Sequence, residues 1–237
     1  MDKLKKALLD GAEKLQISIS ESQYALFEAF TEILLQKNKV MNLTAITEPE
    51  EIAVKHYLDS LTVLKYAEIP QGASIIDVGT GAGFPSIPLL IARPDLKITM
   101  IDGTEKRLKF IRETLDALGL NGNAEHLRAE EAGKKTAYRE RFDFATARAV
   151  ARLNVISEYC IPLIKVGGTF IAMKSEAKDE ITEAGYAIKQ LGAEIGAVER
   201  FDLPDSSART LIIIKKLSQT SPKYPRASTQ IAKKPLK

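Results

Sequence analysis

Residues 75–90, IIDVGTGAGFPSIPLL, carry one apolar run into an acid, three glycines at alternate positions and a second apolar run. A strand that enters so tight a turn and leaves it as a helix is the opening unit of an open parallel sheet, whose ligands sit at the carboxyl ends of the strands. The rest of the chain fits that unit. From residue 73 short β-rich runs alternate with helical stretches: ASIIDV, a helix from Pro85, KITMID, a helix through KRLKFIRETLDALGL, then AEHLRA, FDFATA, a helix near 151–164 and GTFIAMK. The alternation predicts an α/β fold with helices on both faces of the sheet. After a further helix in KDEITEAGYAIKQLGA, the runs AEIGAVERFDLP and RTLIIIKKL are joined by a short link, which predicts a terminal antiparallel hairpin.

Three regions are expected. Residues 1–70 read as a helical extension, because Leu4, Leu8, Leu15, Tyr24, Phe27, Ile33 and Leu34 recur at helical spacing. Ser20 with Gln23 offers a capping box, and Ile52, His56, Leu58, Leu61 and Leu64 mark a later helix. Ile69-Pro70-Gln71-Gly72 ends that pattern, residues 71–217 form the sheet domain, and 218–237 form a basic tail. The segment SPKYPRASTQIAKKPLK, rich in Pro, Ser and Lys, is expected to be loosely ordered until it meets a partner.

No apolar run approaches the roughly 20 residues needed to span a bilayer. MDKLKKALLDGAEKL reads as an amphipathic helix rather than a signal peptide, so a cytoplasmic location is expected. A single cysteine, Cys160, excludes an internal disulfide and a cysteine-clustered metal site, and its apolar surroundings (EYCIPLI) make it a core residue. The net charge of +3 hides an asymmetry: no acid follows Asp205, while Arg209, Lys215, Lys216, Lys223, Arg226, Lys233, Lys234 and Lys237 do, leaving the remainder near −5. A polyanion such as nucleic acid is one partner for such an end, and a solvated tail is the other reading.

Gly79, Gly81 and Gly83 let the backbone adopt positive φ and let a ligand approach closely. Asp102 ends the next strand about 20 residues on, where an acid grips ribose hydroxyls. The turn runs G-x-G-x-G rather than the dinucleotide pattern G-x-G-x-x-G, and Phe84 and Pro85 occupy the helix start that a pyrophosphate needs. Asp77 would repel phosphate and attract a cationic amino-acid end through water or backbone groups. S-adenosylmethionine, with a ribose, a sulfonium and no phosphate, fits these residues better than NAD. On the residues alone, a nucleic-acid methyltransferase, a NAD-dependent oxidoreductase, a non-catalytic RNA-binding protein and a small-molecule methyltransferase all stand.

DVGTGAGFPSIPL, DGTEKRLKFI, RAE at 128–130, TARAVARL at 146–153, KYPR at 223–226, and the NKVMNLTAIT and KHYLDS segments resemble the ribosomal RNA small-subunit methyltransferase G family over nearly the whole chain. The resemblance implies a class I S-adenosylmethionine-dependent methyltransferase fold, Rossmann-like, with a seven-stranded sheet ending in an antiparallel hairpin. It implies methylation of guanine N7 in the 530 loop of 16S ribosomal RNA, free or in a small ribosomal subunit precursor. It places Gly79 and Phe84 at the donor turn, Asp102 at the ribose, Ala129 and Glu130 near the adenine, and Arg148 beside the methyl donor. The far tail, ASTQIAKKPLK, departs from the glycine- and proline-rich ending of relatives.

Guanine N7 carries an in-plane lone pair and no proton, so displacement at a sulfonium methyl needs alignment rather than a general base. No Asn/Asp-Pro-Pro-Tyr run of the kind expected for amino-group methylation is present. Arg148 and Arg152 would share a face if a helix begins there, holding an RNA phosphate or guanine O6, and Lys174 would emerge at the pocket rim. Glu130 could offset the positive charge of the product. Arg209 is expected to contact RNA or to pair with Asp205, and His56 to be a packed helix residue. His56 and His126 lack partners at metal-ligand spacing, and nothing in the chain calls for an obligate protein partner.

Overall fold

The computed structural model describes residues 2–237. Helix α1 (Asp2–Lys14) is followed by α2 (Glu21–Met41), whose start is the expected capping box. Gln23 N donates to Ser20 Oγ at 3.2 Å and Ser20 N donates to Gln23 Oε1 at 2.9 Å, so two orphan donors of the first turn are met. The next helix is one rod of three characters: α3 (Pro49–Glu51), a wide π-helical stretch over Ile52–Leu58, and α4 (Asp59–Tyr66). A π stretch is rare and recurs at functional sites.

Seven strands come after it: β1 (Ser74–Val78), β2 (Lys97–Asp102), β3 (Asn123–His126), β4 (Phe142–Arg148), β5 (Ile164–Lys174), β6 (Ala193–Asp202) and β7 (Ala208–Lys216). The intervening helices are α5 (Ser86–Ala92), α6 (Glu105–Leu118), α7 (Ala129–Ala132), α8 (Leu153–Cys160) and α9 (Lys178–Gln190), with α10 (Ser228–Lys233) in the tail. The sheet order is β3-β2-β1-β4-β5-β7-β6. The first five strands are parallel, and β7 lies antiparallel between β5 and β6, as the hairpin reading requires. The order reverses between β1 and β4, which opens a crevice at their carboxyl ends.

Alternate side chains leave opposite faces of a strand, so one sheet builds two apolar layers. Ile75, Ile98 and Met100 pack with Leu4, Phe27, Phe30 and Tyr57, which joins the N-terminal helices to one face. Ile76, Ile101 and Phe170 pack with Ile156, Cys160 and Ile188 on the other. Cys160 is fully buried, and burial raises its thiol pKa well above the ordinary value.

The tail corrects the expectation of loose order. Ile231 is fully buried and Tyr224 nearly so, both in the interior, and Tyr224 packs in the second layer. Arg226 Nε and Nη2 grip both oxygens of the buried Glu158 at 2.8 and 2.6 Å, and Arg139 donates to the carbonyls of Thr220 and Tyr224. Composition in Pro, Ser and Lys underestimates a segment whose few apolar and planar side chains find sites. The charges of the basic stretch after Asp205 are also less free than a count suggests. Lys216 is buried on Glu140 Oε1 and the carbonyls of Ile161 and Ile164.

Candidate active site

The glycine turn runs from the end of β1 into α5, with φ of +73° at Gly79 and +61° at Gly81. A Cβ on Gly79 would stand 2.9 Å from Val150 Cγ2, whereas one on Gly81 would meet nothing within 4 Å. Gly79 is thus required by contact as well as by φ, and Gly81 by φ with open space beside it. The N–H groups of Gly79 and Thr80 donate to Ile101 O, that of Gly81 to Asp102 Oδ2 at 3.2 Å, and those of Gly83 and Phe84 to Thr80 O. Pro85 has none. The turn is closed on itself and offers no array of free donors for a pyrophosphate.

Asp77, just before the turn, lies behind it and makes no direct contact with either opening beside the turn. It is fully buried, its two oxygens accept from Ser86 Oγ at 2.7 Å and Thr146 Oγ1 at 3.1 Å, and burial pushes its pKa up to about 6. It braces β1 against α5 and β4 and is not available to a ligand.

Two openings flank the turn. On one side a cleft of about 180 Å3 is lined by Gly79, Asp102, Ala129, Glu130, Tyr159 and Ser228. Asp102 Oδ1 accepts from Thr104 N at 2.8 Å, and Arg107 Nη1 lies 3.6 Å from Oδ2. Ala129 and Glu130 open α7, so four of the expected site residues meet in this cleft. Ser228 arrives from the tail.

On the other side a cavity of about 640 Å3 is lined by Gly79, Thr80, Phe84, Arg148, Lys174 and residues of the N-terminal helices. Arg148 leaves the end of β4 and turns inward, the backbone reversing at Ala149 with φ +54°. Its Nη1 donates to Lys55 O at 3.0 Å and Asp59 Oδ2 at 3.2 Å, its Nη2 donates to His56 Nδ1 at 3.2 Å, and its guanidinium carbon lies 4.8 Å from the Phe84 ring centre. Burial lowers the Arg148 pKa, with Asp59 opposing the shift. Phe84 stacks on His56 at 4.3 Å between centroids, so the aromatic beside the turn is a buried platform for Arg148 as well as a wall of the cavity.

Asp59 is shared. Arg209 Nε donates to its Oδ1 at 3.0 Å, so Arg209, within β7, pairs with Asp59 across the sheet end and not with the expected Asp205. The expectation that Arg148 and Arg152 share a helix face is also corrected: Arg148 ends a strand, and Arg152 precedes α8, exposed and paired with Glu183 Oε2 at 2.7 Å. Lys174 stands at the cavity wall, donating to Ala151 O and 2.8 Å from Glu180 Oε2.

His56 is packed, as expected, and also lines the cavity. Burial and the Arg148 charge pull its pKa down to about 3, so its ring is neutral. Asp59 and Thr44 escape a residue-by-residue reading of the sequence. Their only signal lies in the KHYLDS and NLTAIT segments that carry the family resemblance.

The family model described as rRNA small subunit methyltransferase G (GidB) matches residues 23–208. A Desulforamulus reducens protein named ribosomal RNA small subunit methyltransferase G is 44% identical over 239 residues, spanning 100% of both chains. A Geobacillus protein of the same name is 48% identical over 227 residues, spanning 94% of this chain and 95% of that one. The solved structure of a SAM dependent methyltransferase from Aquifex aeolicus, 21% identical, covers 73% of this chain and 96% of its own with a TM-score of 0.53, which shows the shared fold. With its glycine turn, its seven-stranded order and a match across most of its length, the chain belongs to the ribosomal RNA small-subunit methyltransferase G family.

Proposed function

We propose that the protein transfers a methyl group from S-adenosylmethionine to guanine N7 in the 530 loop of 16S ribosomal RNA, either as free RNA or within a small ribosomal subunit precursor in the cytoplasm. The observation that carries the donor half is the closed glycine turn. The N–H groups of Gly79, Thr80, Gly81, Gly83 and Phe84 are satisfied inside the protein, which disfavours a phosphate-bearing cofactor. The buried Thr80 Oγ1 lies against Asp77 and borders the large cavity beside the turn. Gly79 and Phe84 border the donor site, Asp102 accepts from ribose hydroxyls, and Ala129 and Glu130 flank the adenine. The bound donor supplies an electrophilic sulfonium methyl.

The acceptor half rests on the cavity wall. His56 accepts at Nδ1 from Arg148 and meets Thr44 at Nε2, so neither nitrogen is free to take a proton. Asp59 is held by two guanidiniums, and Glu180 by Lys174 and the N–H of Leu153. Glu176 stands exposed at the rim. A wall whose inner bases are engaged suits a nucleophile that carries no proton, such as N7. Arg148 and Lys174 position the acceptor, Arg152 meets RNA outside the cavity, and Glu130 offsets product charge. Residues 1–70 form the extension that completes the acceptor wall, 71–217 the catalytic domain, and 218–237 the tail that borders the donor cleft.

Transfer of a labelled methyl to a 530-loop RNA tests this reading. Label is expected on guanosine and lost when the target is 7-deazaguanosine. Label that survives the deaza substitution places the methyl on another atom and refutes it.

A further inference from the structure

Thr44 stands on the wall of the large cavity, on the loop between α2 and α3. Its backbone is held by Asn38: Thr44 N donates to Asn38 Oδ1 and Asn38 Nδ2 donates to Thr44 O, both at 2.9 Å. Its neighbours decide what its hydroxyl can do. A guanidinium has donors and no acceptor, so the 3.2 Å contact between Arg148 Nη2 and His56 Nδ1 obliges Nδ1 to accept. The ring is neutral, so its one proton sits on Nε2, which faces Thr44 Oγ1 at 2.9 Å and donates to it. Ile46 N donates to the same oxygen at 3.0 Å. A hydroxyl has two lone pairs, and both are taken.

Thr44 is thereby converted from an ambivalent hydroxyl into a pure donor. No acceptor among the described residues takes its proton, and the side chain borders the cavity shared with Gly79 and Thr80. We propose that the Thr44 hydroxyl reads O6 of the acceptor guanine; this rests on the guanine N7 reading above. O6 lies beside N7 on the same edge of guanine and accepts, whereas adenine presents an amino donor at that position. A hydroxyl with no free lone pair cannot receive that amino group, so adenine would leave two donors facing each other. A site built to pair a polar group rejects the analogue that cannot pair, because a buried polar group is then left unmatched.

The test uses the full chain as Thr44, Thr44→Val and Thr44→Ser, with a 530-loop RNA carrying guanosine or 2-aminopurine at the target; 2-aminopurine keeps N7 and lacks O6. With guanosine, Thr44→Val is expected to lose roughly 10- to 100-fold in kcat/KM while Thr44→Ser stays within about threefold. With 2-aminopurine, the wild type and Thr44→Val are expected to be equal. The affinity for S-adenosylmethionine, measured by calorimetry, is expected to be unchanged. Thr44→Ala, which adds no bulk, replaces the valine variant if that fails to fold. An equal loss on both bases, with product still at N7, overturns the Thr44 role alone and leaves the N7 reading standing. A parallel fall in donor affinity also overturns it, since the hydroxyl would then serve the donor. Product methylated at another atom overturns the N7 reading and this one together.

Discussion

The cleft on the Asp102 side of the glycine turn is walled largely by short runs at strand ends, whereas the cavity on the Arg148 side is walled by residues from many distant elements, from the loop before α3 to β7. On the first side the acid keeps lone pairs to offer, since each oxygen accepts one backbone N–H. On the second, Arg148, Asp59, Arg209 and His56 satisfy one another before any ligand arrives. In the proposed function two tasks are divided between these walls. A small donor can be held by backbone shape and a single acid, while an acceptor base in a large RNA needs a wall whose groups are already fixed in orientation, so that little reorganisation remains when the methyl moves.

Asp59→Asn puts the greatest strain on this contrast. Two guanidiniums would lose their shared buried carboxylate, and the variant is expected to lose about 3–5 kcal/mol in urea unfolding. A cost below about 1 kcal/mol would mean that the Arg148 side is no more pre-paired than the other. Arg226→Ala leaves the Glu158 carboxylate buried without its partner. A loss of about 3 kcal/mol is expected, together with weaker donor binding because Ser228 lines the small cleft. Unchanged donor affinity in a folded variant would detach the tail from the donor site.

Asp102→Asn probes the other wall. Stability should change by less than about 1 kcal/mol, while affinity for S-adenosylmethionine falls about tenfold, the scale of one weakened hydrogen bond to a charged group. A smaller effect concerns pH. His56, with its folded pKa lowered to about 3, loses its stabilising contribution as pH falls below 6.5, because the unfolded chain takes the proton first. Asp77, with its folded pKa raised to about 6, does the opposite: the native state takes the proton first, so stability is gained as pH falls through 6 toward 3.8. Between pH 7 and 5 the two nearly cancel, and the wild type should lose less than about 1 kcal/mol. Asp77→Asn removes the compensation, and its unfolding free energy should fall by about 2 kcal/mol over the same range.

Legibility in the sequence follows the same divide. The turn at 79–83, Asp102 and the alternation of strands and helices are local patterns, and local patterns fix the sheet and the cleft that Asp102 lines. The capping box at Ser20 and the terminal hairpin are readable for the same reason. The pairing of Asp59 with Arg209, 150 positions apart, has no local signature, and the nearer Asp205 is the natural but mistaken partner. Spacing alone puts Arg148 and Arg152 on one helix, although Ala149 at positive φ breaks the chain between them. The tail misleads because composition records how few apolar residues it has, not that Tyr224 and Ile231 both find the core. The π-helical stretch that carries His56 differs from an α-helix by backbone geometry that residue spacing does not encode.

Calorimetric titration of one preparation with S-adenosylmethionine and with NAD is the decisive test of the closed turn. Binding of the sulfonium ligand, weakened by Asp102→Asn, with no heat from the dinucleotide, is the predicted result. Saturable binding of NAD at comparable or greater strength would show that the turn accommodates a pyrophosphate after all, and that its self-satisfied N–H groups do not select the donor.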